Sequence, residues 1–227
     1  KLEKGINFPA IDLEIEPLTE KDRADLDFVA LHADIVGCSF IQRTEDLRLM
    51  MTELDRRRGD RAPRRRRSVP QRRRSVPRGI LSPYRRGILK IETPLAVRNL
   101  PRLIVRAGAS RPVGVMIARG DLAMEVGTER LSEVQEEILW LCEAAHIPVV
   151  WATQVLQTLL KTGAPSRAEV TDAAMGQRAE CVMLNKGHYI VETIRFLAGI
   201  LRRMDRHQFK KTARLSALTS WRGPQPL

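Results

Sequence analysis

Two charged residues lie two positions apart in an otherwise apolar segment, and they are the first candidates for chemistry. Lys90 and Glu92 occur in the sequence ILKIE. If this segment is a strand, both side chains point to one face and Ile91 points to the other. Two charges on one face of an apolar strand are costly unless they are paired or bind a ligand. The pair is therefore interpreted either as a structural ion pair or as part of a binding site.

Further polar residues follow the next two apolar segments. Arg119, Gly120 and Asp121 follow VGVMIA, and Thr153 and Gln154 follow PVVWA. In parallel α/β folds the carboxyl ends of the strands form the binding site, so we expect these residues to converge with the charged pair. Taken singly, Asp121 and Thr153 would be interpreted as helix caps.

The residue types in this set predict oxyanion and magnesium chemistry. The carboxylates of Glu92 and Asp121, on neighbouring strands, can hold one Mg²⁺ whose other ligands come from substrate oxygens. A nearby Lys90 can neutralise negative charge on a phosphoryl group or an enolate. Backbone amides around Gly120 and Asp121, together with the Thr153 hydroxyl, can hold a substrate carboxylate.

The segments that must position these residues are predicted to alternate between strands and helices. Thr19 with Asp22 resembles a capping box before one helix, and Thr93 followed by Pro94 is typical of the start of another. The predicted strands are 34–42, 88–92, 113–118, 148–152 and 181–185. Five short apolar strands that alternate with helices predict a parallel sheet covered by helices. Both a doubly wound sheet and part of a (β/α)8 barrel would fit.

The basic character of the chain comes from one segment. The 227 residues carry a net charge of +12, but fourteen arginines and only one acidic residue lie between Arg56 and Ile88. RRRSVP occurs there twice, at 65–70 and 72–77. This low-complexity segment is interpreted as a disordered insertion, a weak polyanion- or nucleic-acid-binding segment, or a phosphorylation motif. The rest of the chain is near neutral, which does not favour a general nucleic-acid-binding surface.

Composition divides the chain into four predicted segments. The first part of the fold covers 1–58, the arginine-rich insertion 59–87, the remainder of the fold 88–208 and a carboxyl-terminal tail 209–227.

Cysteine usage and hydropathy indicate a reducing compartment. The three cysteines, Cys38, Cys142 and Cys181, are odd in number and widely spaced, which predicts buried reduced thiols and not disulfides. No leader peptide is visible, and the longest apolar stretches are far shorter than a membrane span. We therefore expect a cytoplasmic protein without a membrane partner. Because the first residue is Lys1, we expect the chain to be processed, excised or incomplete.

The order and spacing of the motifs resemble those of the pyruvate kinase family, in the carboxyl-terminal part of its catalytic barrel. The matching motifs are KGINFP (4–9), LTEKD (18–22), SFIQ (39–42), KIE (90–92), MIARGDLAMEVG (116–127), WATQVLQTL (151–159), SRAEVTDAA (166–174) and CVML (181–184). The resemblance implies a partial TIM (β/α)8 barrel of about five βα units with parallel strands. LNKG at 184–187 is most similar to an atypical bacterial branch of pyruvate-kinase-like proteins.

The resemblance also implies a role for each matching residue. Lys90 would be the phosphoryl-transfer lysine, and Glu92 and Asp121 would bind Mg²⁺ or Mn²⁺. The amides of Gly120 and Asp121, with the Thr153 hydroxyl, would hold the carboxylate of phosphoenolpyruvate. The implied reaction is the glycolytic transfer of a phosphoryl group from phosphoenolpyruvate to ADP, which gives pyruvate and ATP.

Arg119 and Gln154 resemble positions at the family's subunit contact beside the active site. The five strands match strands four to eight of the family barrel. The family's residues that bind phosphate, K⁺ and most of the nucleotide are therefore expected to lie mostly outside this chain. We expect little activity from the chain alone, and either a homo-oligomer or a partner chain that completes the barrel.

Three alternative functions remain open from the sequence. The chain would be a non-catalytic remnant that binds Mg²⁺ and carboxylates, a polyanion-binding protein that uses its arginine-rich segment, or another magnesium–enolate barrel such as an aldolase.

One departure from the family also bears on activity. Asn185-Lys186-Gly187-His188 stands where the family has a Gly-Glu-Thr-Ala turn after its last strand.

Overall fold

The computed structural model describes residues 16–59, 86–205 and 207, and helices alternate with strands through them. The elements are α1 (Glu20–His32), β1 (Ile35–Cys38), α2 (Thr44–Gly59), β2 (Arg86–Ile91), α3 (Pro94–Gly108), β3 (Val113–Ala118), α4 (Arg119–Val126), α5 (Thr128–Ala144), β4 (Val149–Ala152), α6 (Gln157–Thr162), α7 (Arg167–Met175), a 3₁₀ turn (Gly176–Arg178), β5 (Cys181–Val182) and α8 (Ile190–Met204).

The five strands form one parallel sheet in the order β1-β2-β3-β4-β5. Each strand pairs with the next one along the chain, so Lys90 lies opposite Met116 and Met116 opposite Val150. A doubly wound sheet reverses its strand order at a switch point, whereas the wall of a (β/α)8 barrel adds each strand beside the previous one. The prediction of a partial barrel with about five βα units is confirmed.

The two faces of the sheet differ in burial. Side chains on one face are almost fully buried among the helices, namely Leu89, Ile91, Val115, Ile117 and Trp151. The opposite face, here called the open face, is half-buried or exposed at Ile35, Ile88, Met116 and Val150. Three of these four residues also line a cavity of about 960 Å³ at the amino ends of the strands. In a closed (β/α)8 barrel the face opposite the helices is filled by side chains from all of the strands, so a wall of five strands leaves this face open.

The predicted helix starts are confirmed by their hydrogen bonds. The Thr19 side chain accepts from the Asp22 amide at 3.1 Å, and the Asp22 carboxylate accepts from the Thr19 amide at 2.9 Å. Thr93 caps α3 by accepting from the Ala96 amide at 3.2 Å, and Pro94 occupies the first turn. In both helices a threonine oxygen satisfies an amide that has no acceptor within the helix.

Some element boundaries differ from those predicted. The strands predicted over 34–42 and 181–185 are shorter, because pairing extends only over Ile35–Cys38 and Cys181–Val182. Helix α6 begins only at Gln157, because Gln154 and Leu156 before it have positive φ. Helix α4 was not predicted, because a strand end with Gly-Asp is typical of a loop.

The cysteine prediction is correct for two of the three residues. All three are free, and Cys38 and Cys142 are buried, but Cys181 is exposed. Cys181 begins β5, which pairs with β4 at one edge of the sheet that the described strands form. Burial raises the pKa of the Cys38 thiol to about 12, so this thiol stays protonated at neutral pH.

Several predictions fall on residues outside those described. They concern KGINFP at 4–9, most of the arginine-rich segment 59–87 and the tail 209–227. Among the described residues, no helix has the length and apolar character that crossing a membrane requires.

Candidate active site

The predicted charged pair lies at the carboxyl end of β2. Lys90 Nζ is 2.7 Å from Glu92 Oε1, and the side chains are 28% and 1% exposed, respectively. Glu92 directly follows the last residue of the strand. A carboxylate this deeply buried is stable as a charge only when cations and hydrogen-bond donors compensate for lost water.

The segment that follows β1 supplies two further contacts to this pair. The Lys90 ammonium donates to Ser39 Oγ at 2.8 Å, and the Phe40 amide donates to Glu92 Oε2 at 2.6 Å. Phe40 has a φ of 50°, and the residue is 51% exposed. Both charged groups are thereby fixed between two neighbouring strands.

Ser39 and Phe40 were not predicted as site residues. Their place follows from the strand register, in which Cys38 lies opposite Leu89 and Ser39 therefore lies at the level of Lys90. That register depends on pairing between distant segments, and sequence periodicity alone does not give it.

Gly120 and Thr153 join the ends of β3 and β4. The Gly120 amide donates to Thr153 Oγ1 at 2.7 Å. A Cβ at residue 120 would lie 3.5 Å from the same oxygen, so an alanine there would make an ordinary van der Waals contact and no clash. Because the Thr153 oxygen accepts from Gly120, the hydroxyl hydrogen can be donated to a different acceptor.

Asp121 lies in the first turn of α4, directly after β3, and is half-buried. Within the described part of the chain, no hydrogen bond or ion pair occupies its carboxylate. An unpaired carboxylate at the carboxyl edge of the sheet, one strand away from Glu92, is a suitable ligand for a hard cation. The described residues contain no cluster of three or more His, Cys, Asp or Glu side chains that would hold a metal by themselves.

The turn after β4 has an unusual backbone. Thr153, Gln154 and Leu156 have φ values of 66°, 56° and 50°. Non-glycine residues rarely adopt positive φ, and such residues concentrate at functional sites. Gln154 is exposed at this turn, and its predicted place at a subunit contact stays a prediction.

Arg119 is buried and makes its contacts within this chain. Its guanidinium donates from Nε to the Ala152 carbonyl at 2.8 Å and from Nη2 to the Thr153 carbonyl at 2.7 Å. It also pairs with Asp172 of α7 and lies 4.5 Å from the centroid of the Trp151 ring. These contacts are intramolecular, and the prediction that Arg119 lies at a subunit contact stays untested.

The fold and the site define part of an α/β barrel whose polar residues lie at the carboxyl ends of consecutive strands. Residues 82–194 match the family description "Pyruvate kinase, barrel domain". The chain belongs to the pyruvate kinase family, as its motifs predicted.

Curated relatives extend this match over most of the chain. A pyruvate kinase from Agrobacterium vitis is 35% identical over 212 residues, which are 90% of this chain and 37% of that protein. Pyruvate kinase 1 from Trypanosoma brucei brucei is 32% identical, over 87% of this chain and 35% of that protein. A pyruvate kinase from Thermococcus litoralis is 30% identical, over 96% and 41%. The chain therefore spans about two fifths of the length of these relatives, and placement in an atypical branch stays a prediction.

Proposed function

We propose that the protein takes part in phosphoryl transfer from phosphoenolpyruvate to ADP, which yields pyruvate and ATP. The observation that carries the proposal is the Lys90–Glu92 pair, held at 2.7 Å at the same strand edge as Asp121 and Thr153. Membership of the pyruvate kinase family supports the same reaction.

Lys90 is assigned to the transferring phosphoryl group. During transfer, the bond between phosphorus and the enol oxygen breaks, and a bond forms to a terminal oxygen of ADP. Negative charge then develops on the enol oxygen, and the enolate takes up a proton from solvent at carbon to become pyruvate. An ammonium group fixed by Glu92 and Ser39 can neutralise that charge without reorganising.

Glu92 and Asp121 are assigned to a divalent cation, Mg²⁺ or Mn²⁺. Their donor atoms fit, because carboxylate oxygens are the ligands that Mg²⁺ prefers, and Asp121 has a free carboxylate. Two protein ligands leave positions for substrate oxygens and water. When bound, the cation would neutralise charge on the substrate oxygens. K⁺ is expected from the family, and we assign no ligand to it.

Thr153 is assigned to the substrate carboxylate. Its hydroxyl hydrogen remains available for donation, because Gly120 already donates to its oxygen. The Asp121 amide, in the first turn of α4, is the second proposed donor, since the first amides of a helix have no acceptor within it. Gly120 contributes by fixing the Thr153 hydroxyl.

The test is pyruvate formation from phosphoenolpyruvate and ADP with Mg²⁺ and K⁺. Lys90→Ala is compared with Lys161→Ala, which changes an exposed lysine of α6. Turnover that is lost only in Lys90→Ala supports the proposal. Turnover that survives Lys90→Ala overturns the role of that lysine.

A second candidate is a binding function without turnover, which the half-buried, unpaired carboxylate of Asp121 favours. Oxalate is a suitable probe, because it is a small dicarboxylate that can bridge a cation and the Thr153 hydroxyl. Magnesium-dependent binding of oxalate, without any pyruvate formation, would favour this candidate. Release of an aldehyde without a need for ADP would instead indicate an aldolase.

A further inference from the structure

We propose that Arg119 and Asp172 are positioning residues that hold the Thr153 hydroxyl at the site. The use of that hydroxyl for a substrate carboxylate rests on the proposed function. The positioning itself is a property of this chain, so it can be tested without a substrate.

The argument begins with the carbonyls that Arg119 binds. Its guanidinium donates to the carbonyls of Ala152 and Thr153 at 2.8 and 2.7 Å. These are the last residue of β4 and the first residue of the turn. Two hydrogen bonds from one rigid, planar group to consecutive carbonyls fix the orientation of the peptide between them.

This orientation requires support, because the turn is strained. Thr153 and Gln154 have φ values of 66° and 56°. A non-glycine residue keeps such a conformation only when its surroundings over-determine it. The Gly120 amide fixes the Thr153 side chain, whereas Arg119 fixes its backbone.

Asp172 acts through Arg119. The Arg119 side chain is 10% exposed and that of Asp172 is 31% exposed. The pair therefore shields the turn from solvent on the side that faces α7. The Trp151 ring lies 4.5 Å from the guanidinium carbon, which limits its movement on another side. Asp172 itself makes no hydrogen bond to the turn among those that the described residues form, so its effect on Thr153 must pass through the guanidinium.

The Gly120 amide is a specific reporter of this arrangement. It lies in the first turn of α4, where amides have no acceptor within the helix, and it donates to Thr153 Oγ1. Its protection from hydrogen exchange therefore depends on the position of Thr153. The Val115 amide, which donates to the Pro148 carbonyl at 2.9 Å, is the internal reference.

The experiment measures hydrogen exchange in the full chain by NMR, for wild type, Arg119→Lys and Asp172→Asn. Arg178→Lys is the matched control, because Arg178 also pairs with a half-buried carboxylate, that of Glu136. We expect protection at Gly120, relative to Val115, to fall about tenfold or more in Arg119→Lys and by a smaller factor in Asp172→Asn. Arg178→Lys should leave this ratio unchanged.

Equal protection ratios in all four proteins would overturn the proposal, as would the same loss in Arg178→Lys. If Arg119→Lys does not fold, Asp172→Asn decides the question alone. Thr153→Val checks the reporter, because it removes the acceptor while Arg119 stays in place. Magnesium-dependent oxalate binding is measured separately: a wild-type chain that fails to bind counts against the proposed function, while the exchange ratio still decides the positioning.

Discussion

The Phe40 amide donates to Glu92 Oε2 at 2.6 Å, which links residues 52 positions apart in the chain. The other carboxylate oxygen of Glu92 faces the Lys90 ammonium at 2.7 Å. The buried carboxylate therefore has a cation on one oxygen and a backbone donor on the other. This compensation explains how a negative charge is kept at 1% exposure beside the strand ends.

The first prediction concerns the contact between Ser39 and Lys90. Ser39→Ala removes the 2.8 Å hydrogen bond to the ammonium and leaves the ion pair to Glu92. We expect kcat to fall roughly 10- to 150-fold, since a hydrogen bond to a charged group contributes roughly 1.5–3 kcal/mol. The measurement is the rate of pyruvate formation at saturating phosphoenolpyruvate.

Ser110→Ala is the matched control for that experiment. Ser110 is an exposed serine whose hydroxyl donates to the Ala107 carbonyl at 3.2 Å, after α3. We expect its kcat to match wild type. Equal rates in the two serine variants would show that Ser39 does not hold Lys90 for the reaction.

The second prediction separates the charge of Glu92 from its hydrogen bonds. Glu92→Gln keeps an acceptor for the Phe40 amide, whereas Glu92→Ala leaves that amide without one. Glu92→Ala should therefore lower the free energy of unfolding by about 1–3 kcal/mol more than Glu92→Gln. Both variants should weaken Mg²⁺ binding, because each removes a carboxylate ligand.

Urea denaturation and magnesium titration test these effects, with Glu133→Ala as the control. Glu133 is an exposed partner of Arg130 on α5, and its loss should change stability by less than about 1 kcal/mol. Equal unfolding free energies for Glu92→Ala and Glu92→Gln would contradict the role assigned to the Phe40 amide.

The third prediction is a dependence of stability on pH through Glu169. Burial by itself would raise the pKa of Glu169. Hydrogen bonds from the Thr158 and Ser166 amides outweigh this effect and lower the pKa below its ordinary 4.5. Because the folded pKa is lower than the unfolded one, the contribution is fully present above the unfolded value. It is lost as pH falls from about 4.5 through the folded pKa.

Thermal unfolding of wild type and Glu169→Gln between pH 7 and pH 3 measures this contribution. The melting temperatures should differ at pH 7 and approach each other toward pH 3. A difference that stays constant over the whole range would mean that the charge of Glu169 contributes nothing.

The sequence allowed the order of the elements and most of the candidate site to be predicted. Apolar periodicity and the capping residues Thr19 and Thr93 report local structure, which short segments determine. The roles of Ser39 and Phe40 and the burial of Arg119 depend on contacts between distant segments. Helix α4 was not predicted, because no side chain caps its start at Arg119 and the Gly-Asp that follows is typical of a loop.

The last prediction concerns the open face of the sheet, which we propose is covered by a second copy of this chain. Val150 is half-buried on this face, between Met116 and Cys181 in the register. An apolar sheet face left in water favours association. Val150→Glu should therefore shift the full chain toward monomer in sedimentation velocity at micromolar concentration. The control is Val105→Glu, because Val105 is 72% exposed on α3, outside the sheet, and a charge there should leave the association unchanged. A wild-type chain that sediments as a single monomer would show that this face needs no second chain to cover it.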